Sequence, residues 1–227
     1  MTTLLLLHGA IGASAQLAAL AQRLSDDYVV HTFDFSGHGG KPYRGAFTMN
    51  LFVQDVLDYM EEHQLKKTSI FGYSMGGYVG MCLAKSHPDK VEQIITLATK
   101  YSWDEAIAAK EIQMLNPDKI EQKLPAFAAT LAERHAPNNW KAVLKDTADM
   151  MVGLGNDNTL KPGDYAAIAT PALVLLGDRD KMVSLDETLA VYKALPNAQM
   201  GMLPNTQHPI EQVNVNALAF IIRQFLG

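Results

Sequence analysis

The stretch Thr68-Ser69-Ile70-Phe71-Gly72-Tyr73-Ser74-Met75-Gly76-Gly77-Tyr78 constrains this chain more than any other. An apolar, β-prone run leads into a serine that has glycine two residues before it and two after it, and a helix-competent run follows. A strand that turns at once into a helix forces the corner residue, Ser74, into strained backbone angles. The flanking positions must then be small, as Gly72 and Gly76 are. Such a corner lifts the hydroxyl clear of the sheet. The helix starting behind it offers free N–H groups and the positive end of its dipole, which would steady an anion forming beside Ser74. Gly-x-Ser-x-Gly arises by chance in roughly one chain of this size in ten. The weight therefore falls on what surrounds it.

At 227 residues the chain is long enough for one domain with a large core, and nothing in it reads as an interdomain linker. Acidic residues outnumber basic ones, 24 to 19, and no basic run or stripe exists, which argues against a nucleic-acid partner. The single cysteine, Cys82, cannot close an intrachain disulfide and suits a reducing compartment. Met1 to Leu7 is apolar but short and lacks a cationic flank, so it reads as a strand rather than a signal peptide. No apolar run approaches the ~20 residues of a membrane span. A cytoplasmic protein is expected. With no His-Glu-x-x-His and no cysteine pair, neither a metal nor a cofactor is expected.

Along the chain, strand and helix alternate. Strands are predicted at Leu4 to Leu7, Tyr28 to Phe35, 68–73, Val91 to Ala98, 172–176 and 198–203. Helices are predicted from a Ser14 cap to Leu24, from Thr48 or Asn50 to His63, from Met75 to Ser86, over 186–195 and from Pro209 to Leu226. Alternation of this kind produces right-handed crossovers and a parallel sheet with helices on both faces. Between Trp103 and Asn158 strands vanish. Four helical segments separated by prolines replace them, at 103–115, 117–123, 125–135 and 138–152, and read as a helical insertion.

Ligands in open α/β sheets meet the carboxyl ends of the strands. Four such ends carry chemistry. His8-Gly9-Ala10 follows the first strand, and its turn would aim the Ala10 N–H at an oxyanion beside Ser74, paired with the N–H of Met75. Ser74 follows the third. Gly177-Asp178-Arg179-Asp180 follows the strand at 172–176, with Asp178 a rival to Asp180 as the acid, and His208 follows the last strand. The chain order is nucleophile, acid, histidine.

At this point the sequence resembles the α/β-hydrolase superfamily over nearly its whole length outside the insertion. Gly72-Tyr73-Ser74-Met75-Gly76-Gly77 is similar to that family's nucleophile elbow, His8-Gly9 to its oxyanion loop, and Asp34-x-x-Gly37-His38-Gly39 to the loop after its next strand. The resemblance implies a triad of Ser74, Asp180 and His208, and an oxyanion hole from Ala10 and Met75. It implies a six-stranded parallel sheet that lacks the family's two leading strands, with a core of residues 1–102 and 159–227 and a small helical cap at 103–158. Lys41, Ser184 and Thr206 stand where family members often carry serine, proline and glycine. Without the leading strands, Tyr28 to Phe35 becomes a sheet edge, where a second copy of the chain could sit as a homodimer.

The chemistry expected of such a triad is cleavage of a small or medium, largely apolar carboxylic ester through an acyl-enzyme. The methionines and other apolar residues of the insertion favour an apolar ligand over a sugar. Thioester hydrolysis, carbon–carbon hydrolysis and a lyase reaction like that of menaquinone biosynthesis compete on the same residues. A serine at the elbow argues against the aspartate-nucleophile dehalogenases and epoxide hydrolases. A ligand-binding protein that kept the fold and lost turnover is the alternative of another class. His8 is expected to prop its turn, His38 to be structural or at the pocket rim, and His135 to have no role.

Overall fold

The computed structural model describes residues 1–227. Six strands form one sheet: β1 (Thr3–Leu7), β2 (Val29–Thr32), β3 (Thr68–Tyr73), β4 (Val91–Leu97), β5 (Ala172–Gly177) and β6 (Ala198–Leu203). Their order is β2-β1-β3-β4-β5-β6, and every neighbouring pair is parallel. The chain steps from β1 outward to β2, then returns past β1 to begin β3. That reversal opens a crevice at the carboxyl ends of β1 and β3.

Side chains alternate across the sheet with the period of two that a pleated strand imposes. Leu5, Leu7, Ile70 and Val174 enter a core of 31 buried residues shared with α2 (Met49–Glu62), α3 (Met75–Ser86) and α8 (Leu185–Ala194). Leu4, Leu6, Phe71, Leu173 and Leu175 face the other way, into a core of 18 closed by α1 (Ala18–Leu24) and α9 (Val215–Leu226). Both faces are thus covered, which is why β1 and β5 read as nearly unbroken apolar runs and β3 is buried along its whole length. No helix is long and apolar enough to cross a membrane.

Between β4 and β5 run α4 (Glu105–Glu111), α5 (Pro117–Lys123), α6 (Pro125–His135) and α7 (Trp140–Asn156). Leu115, Ile120, Ala128, Leu131 and Leu144 form a small core of their own, and Ile11 of the sheet domain packs against it. Asp104, Asn116 and Asn139 each cap one of these helices by accepting an amide hydrogen bond.

Several boundaries differ from the sequence-based expectation. β2 ends at Thr32 rather than Phe35, because the next amides leave the ladder: Phe35 N–H donates to His8 Nε2 and Ser36 N–H to the buried Asp55. Ser14 does not cap a helix. It begins a 3₁₀ turn, and its own N–H is taken by Asp34 Oδ1 at 2.6 Å. Of the two candidate caps for α2, Thr48 serves, accepting from Leu51 N–H. The last helix starts at Val215, not Pro209, because Asn214 accepts from the amides of Asn216 and Ala217.

Candidate active site

Ser74 is the hinge between β3 and α3, with φ of 51° and ψ of −117°. A non-glycine residue at such a φ is held there only by its surroundings. Three contacts hold it: Ser74 N–H donates to Leu97 O at 2.8 Å, and its carbonyl accepts from Gly77 N–H at 3.0 Å and from Thr99 Oγ1 at 3.0 Å. The flanking glycines have no alternative. A Cβ on Gly72 would stand 2.4 Å from the backbone of Gly77, and one on Gly76 would stand 2.4 Å from Leu7 O.

Two loops bring His208 and Asp180 to this hinge. Ser74 Oγ donates to His208 Nε2 at 3.3 Å, and His208 Nδ1–H donates to Asp180 Oδ2 at 2.8 Å. Asp180 Oδ1 accepts from Met182 N–H and Val183 N–H at 2.8 and 2.9 Å, which fixes the carboxylate plane. Burial alone would push this carboxyl up, but the hydrogen bond and charge of His208, with the two amides, hold it below its ordinary value. Asp178, the other acid of this turn, makes no hydrogen bond to His208. Its Oδ1 accepts Thr206 N–H at 3.0 Å, and Arg179 N–H donates back to Thr206 O at 3.0 Å, so it braces the loop that carries the histidine. Tyr73, next to the serine, donates to His208 O at 3.0 Å from behind.

The turn after β1 closes on the same point. A Cβ on Gly9 would lie 2.8 Å from the Tyr73 ring and 3.2 Å from Ser74 Cβ, so only glycine lets this turn approach the serine. His8 is fully buried below it. Its Nδ1–H donates to Gly9 O at 2.8 Å and its Nε2 accepts from Phe35 N–H, which ties the turn after β1 to the segment after β2. Burial pushes the imidazole down to about 4, against the raising effects of the Gly9 carbonyl and Asp34. Ile11 stands at φ of 51°, a rare place for a β-branched residue. Two side chains of α6 hold its carbonyl: Arg134 Nη1 and His135 Nε2 each donate to Ile11 O at 3.0 Å.

A family model described as serine aminopeptidase, S33, a hydrolase family, matches residues 2–211. The chain belongs to that family. It is an α/β hydrolase. It is 28% identical over 237 residues to the pimeloyl-[acyl-carrier protein] methyl ester esterase of Chromobacterium violaceum, covering 94% of this chain and 89% of that protein. It is 24% identical over 244 residues to the 2-(acetamidomethylene)succinate hydrolase of Mesorhizobium japonicum, covering 98% and 87%. Among solved structures, a thermophilic esterase from Thermogutta terrifontis superposes with a TM-score of 0.80 at 22% identity, over 100% of this chain and 89% of that one. At that identity the likeness speaks for the fold.

Against Ser74 and His208 this α/β hydrolase keeps a cavity of about 480 Å³ including its mouth, and 10 of the 14 residues lining it are hydrophobic. Ala10, Met75, Tyr78 and Met49 come from the sheet domain, and Trp103, Met150, Met151 and Leu154 from the helical segment. Two polar residues in the wall were not singled out from sequence, Lys100 and Glu111. Lys100 follows β4 by three residues, so its place past a strand's carboxyl end was available as a signal. Glu111 gave none, since an acid ending a short helix ordinarily faces solvent. His135 was also passed over. It is fully buried, and besides holding Ile11 O it accepts from Gly39 N–H at 3.2 Å, joining α6 to the loop after β2. His38 is fully buried as well, its Nδ1–H donating to Ser36 O, and it does not line the cavity.

Proposed function

We propose that the chain is a serine hydrolase that cleaves a small or medium, largely apolar carboxylic ester through an acyl-enzyme, with Ser74 as nucleophile, His208 as base and Asp180 as its orienting acid. The observation that carries this reading is the continuous relay of 3.3 Å from Ser74 Oγ to His208 Nε2 and 2.8 Å from His208 Nδ1 to Asp180 Oδ2, at the wall of an apolar cavity. A serine hydroxyl is inert at neutral pH until a base takes its proton. His208 presents an unprotonated Nε2 to it because Asp180 claims the Nδ1 proton. As Ser74 Oγ bonds to the ester carbon, the proton passes to His208 and then to the departing alcohol. Water, activated by the same imidazole, clears the acyl group.

The amides of Ala10 and Met75 are the donors for the tetrahedral oxyanion. Met75 opens α3, where the helix dipole adds its positive end. Loss of one such donor typically costs about 10² to 10³ in rate. In the same reading, residues 103–158 act as a cap over a core of 1–102 and 159–227, since Trp103, Met150, Met151 and Leu154 close the cavity from above. The activities of similar proteins, the methyl ester esterase among them, support an ester over the competing thioester, carbon–carbon and lyase chemistries.

Labelling with a fluorophosphonate, together with turnover of p-nitrophenyl esters of graded chain length, tests this. A covalent adduct and ester turnover that both vanish in Ser74→Ala are expected. An adduct that survives Ser74→Ala, or turnover of thioesters alone, would overturn it.

A further inference from the structure

The cavity wall holds the charged side chains of Lys100 and Glu111 amid apolar ones, and Glu187 stands behind them outside the wall. Lys100 Nζ donates to Met182 O at 2.7 Å and stands 3.7 Å from Glu111 Oε1 and 3.6 Å from Glu187 Oε1. The two acids are not equivalent. Glu187 Oε2 accepts from the amides of Tyr101 and Ser102, its Oε1 accepts from Ser184 N–H, and it lies in the first turn of α8, where the helix dipole favours an anion. Those amides solvate its charge, and Lys100 stands as near to it as to Glu111. Lys100 is therefore shared between the two acids, and with Glu111 it makes only a loose ion pair.

That pair is incomplete. The Glu111 side chain is 4% exposed, and its Oε2 is buried with no hydrogen-bond partner in the protein. A buried carboxylate oxygen without a donor is costly, and few native structures keep one unless something else fills the place. Glu111 and Lys100 line the same cavity as Ser74 and His208. We propose that Glu111 is a specificity subsite of the active-site cavity, whose free carboxylate oxygen accepts a hydrogen bond from a neutral hydroxyl on the part of the substrate that enters. A substrate ammonium would meet the Lys100 ammonium already beside Glu111. A substrate carboxylate would meet the carboxylate itself. A neutral donor meets neither and costs least to bring into an apolar cavity. The substrate is accordingly a hydroxylated ester rather than a plain alkyl one.

The turnover assay for this subsite rests on the esterase reading above, whereas a binding assay does not. The first measurement is kcat/KM for four p-nitrophenyl esters of matched length: heptanoate, ω-hydroxyhexanoate, ω-ammoniohexanoate and the monoester of adipate. The hydroxy ester is expected to exceed heptanoate by about tenfold, as a hydrogen bond to a charged acceptor implies, with both charged esters below it. Glu111→Gln, which keeps the shape and a weaker acceptor, narrows the preference, and Glu111→Met removes it. Should Glu111→Met fail to fold, the wild-type ranking and Glu111→Gln decide. Equal rates for heptanoate and the hydroxy ester, or a charged ester ranked first, overturn the proposal while leaving the esterase reading intact. If no ester is turned over, calorimetric titration of hexan-1-ol, hexan-1-amine and hexanoate into the Ser74→Ala protein replaces the assay. Preference for the alcohol that is lost on adding Glu111→Gln upholds the subsite with the hydrolase reading gone; no preference overturns it.

Discussion

Acid should unfold this protein through His8. The imidazole is fully buried and neutral, with both nitrogens committed, and its folded value lies near 4 against 6.5 for a free histidine. A folded value below the unfolded one means that the unfolded chain takes up the proton first as pH falls. The stabilisation is then complete above pH 6.5 and is lost progressively down to about pH 4. At about 1.4 kcal/mol per pH unit over that interval, the neutral His8 accounts for about 3 kcal/mol. His38 and His135 are held down by burial as well and add in the same direction. Urea denaturation at pH 7, 6, 5 and 4 measures this for the wild type and for His8→Asn, whose amide keeps a donor and an acceptor but does not titrate in this range. The wild type should lose about 3 kcal/mol more than the variant between pH 7 and pH 4, most of it below pH 6. Parallel curves would refute the reasoning, because the buried imidazole would then not be the group that takes the proton.

The two acids after β5 should separate cleanly. Asp180→Asn is expected to lower kcat by about 10⁴, as the wrong imidazole tautomer results, while Asp178→Asn, whose amide oxygen can still accept Thr206 N–H, should cost less than about tenfold; ester turnover by both variants checks it. Gly177→Ala would place a Cβ 2.3 Å from Thr206 O, two residues before the histidine. The loop must shift, so kcat should fall at least about 10²-fold while the fluorophosphonate still finds Ser74, and circular dichroism should show the fold retained.

Strand positions were legible because both faces of the sheet are covered, which leaves unbroken runs such as Leu4 to Leu7. Ser74 and its two glycines were legible because steric exclusion at a sharp corner admits few residues. The helical segment announced itself by prolines at helix starts, of which Pro117 and Pro125 open α5 and α6. What escaped notice depended on partners distant in sequence. The short β2 is explained only by His8 and Asp55 drawing amides off the ladder, and Ser14 loses its capping role only because Asp34 arrives first. Lys100, Glu111 and His135 belong to the same group. Their surroundings come from segments more than ten to more than a hundred residues away, and only Lys100, just past the carboxyl end of β4, had a positional signal.

The carbonyl of Ile11 is grasped by Arg134 and His135, both at the end of α6, while its residue sits in a conformation that a branched side chain resists. The turn before the first helix is thus kept under tension by a different part of the molecule, much as a tent's guy-rope sets the angle of its pole. Any swing of α6 would slacken that line and let Ile11 relax. A chain trimmed of its four middle helices would therefore lose the shape of a turn that none of them contains.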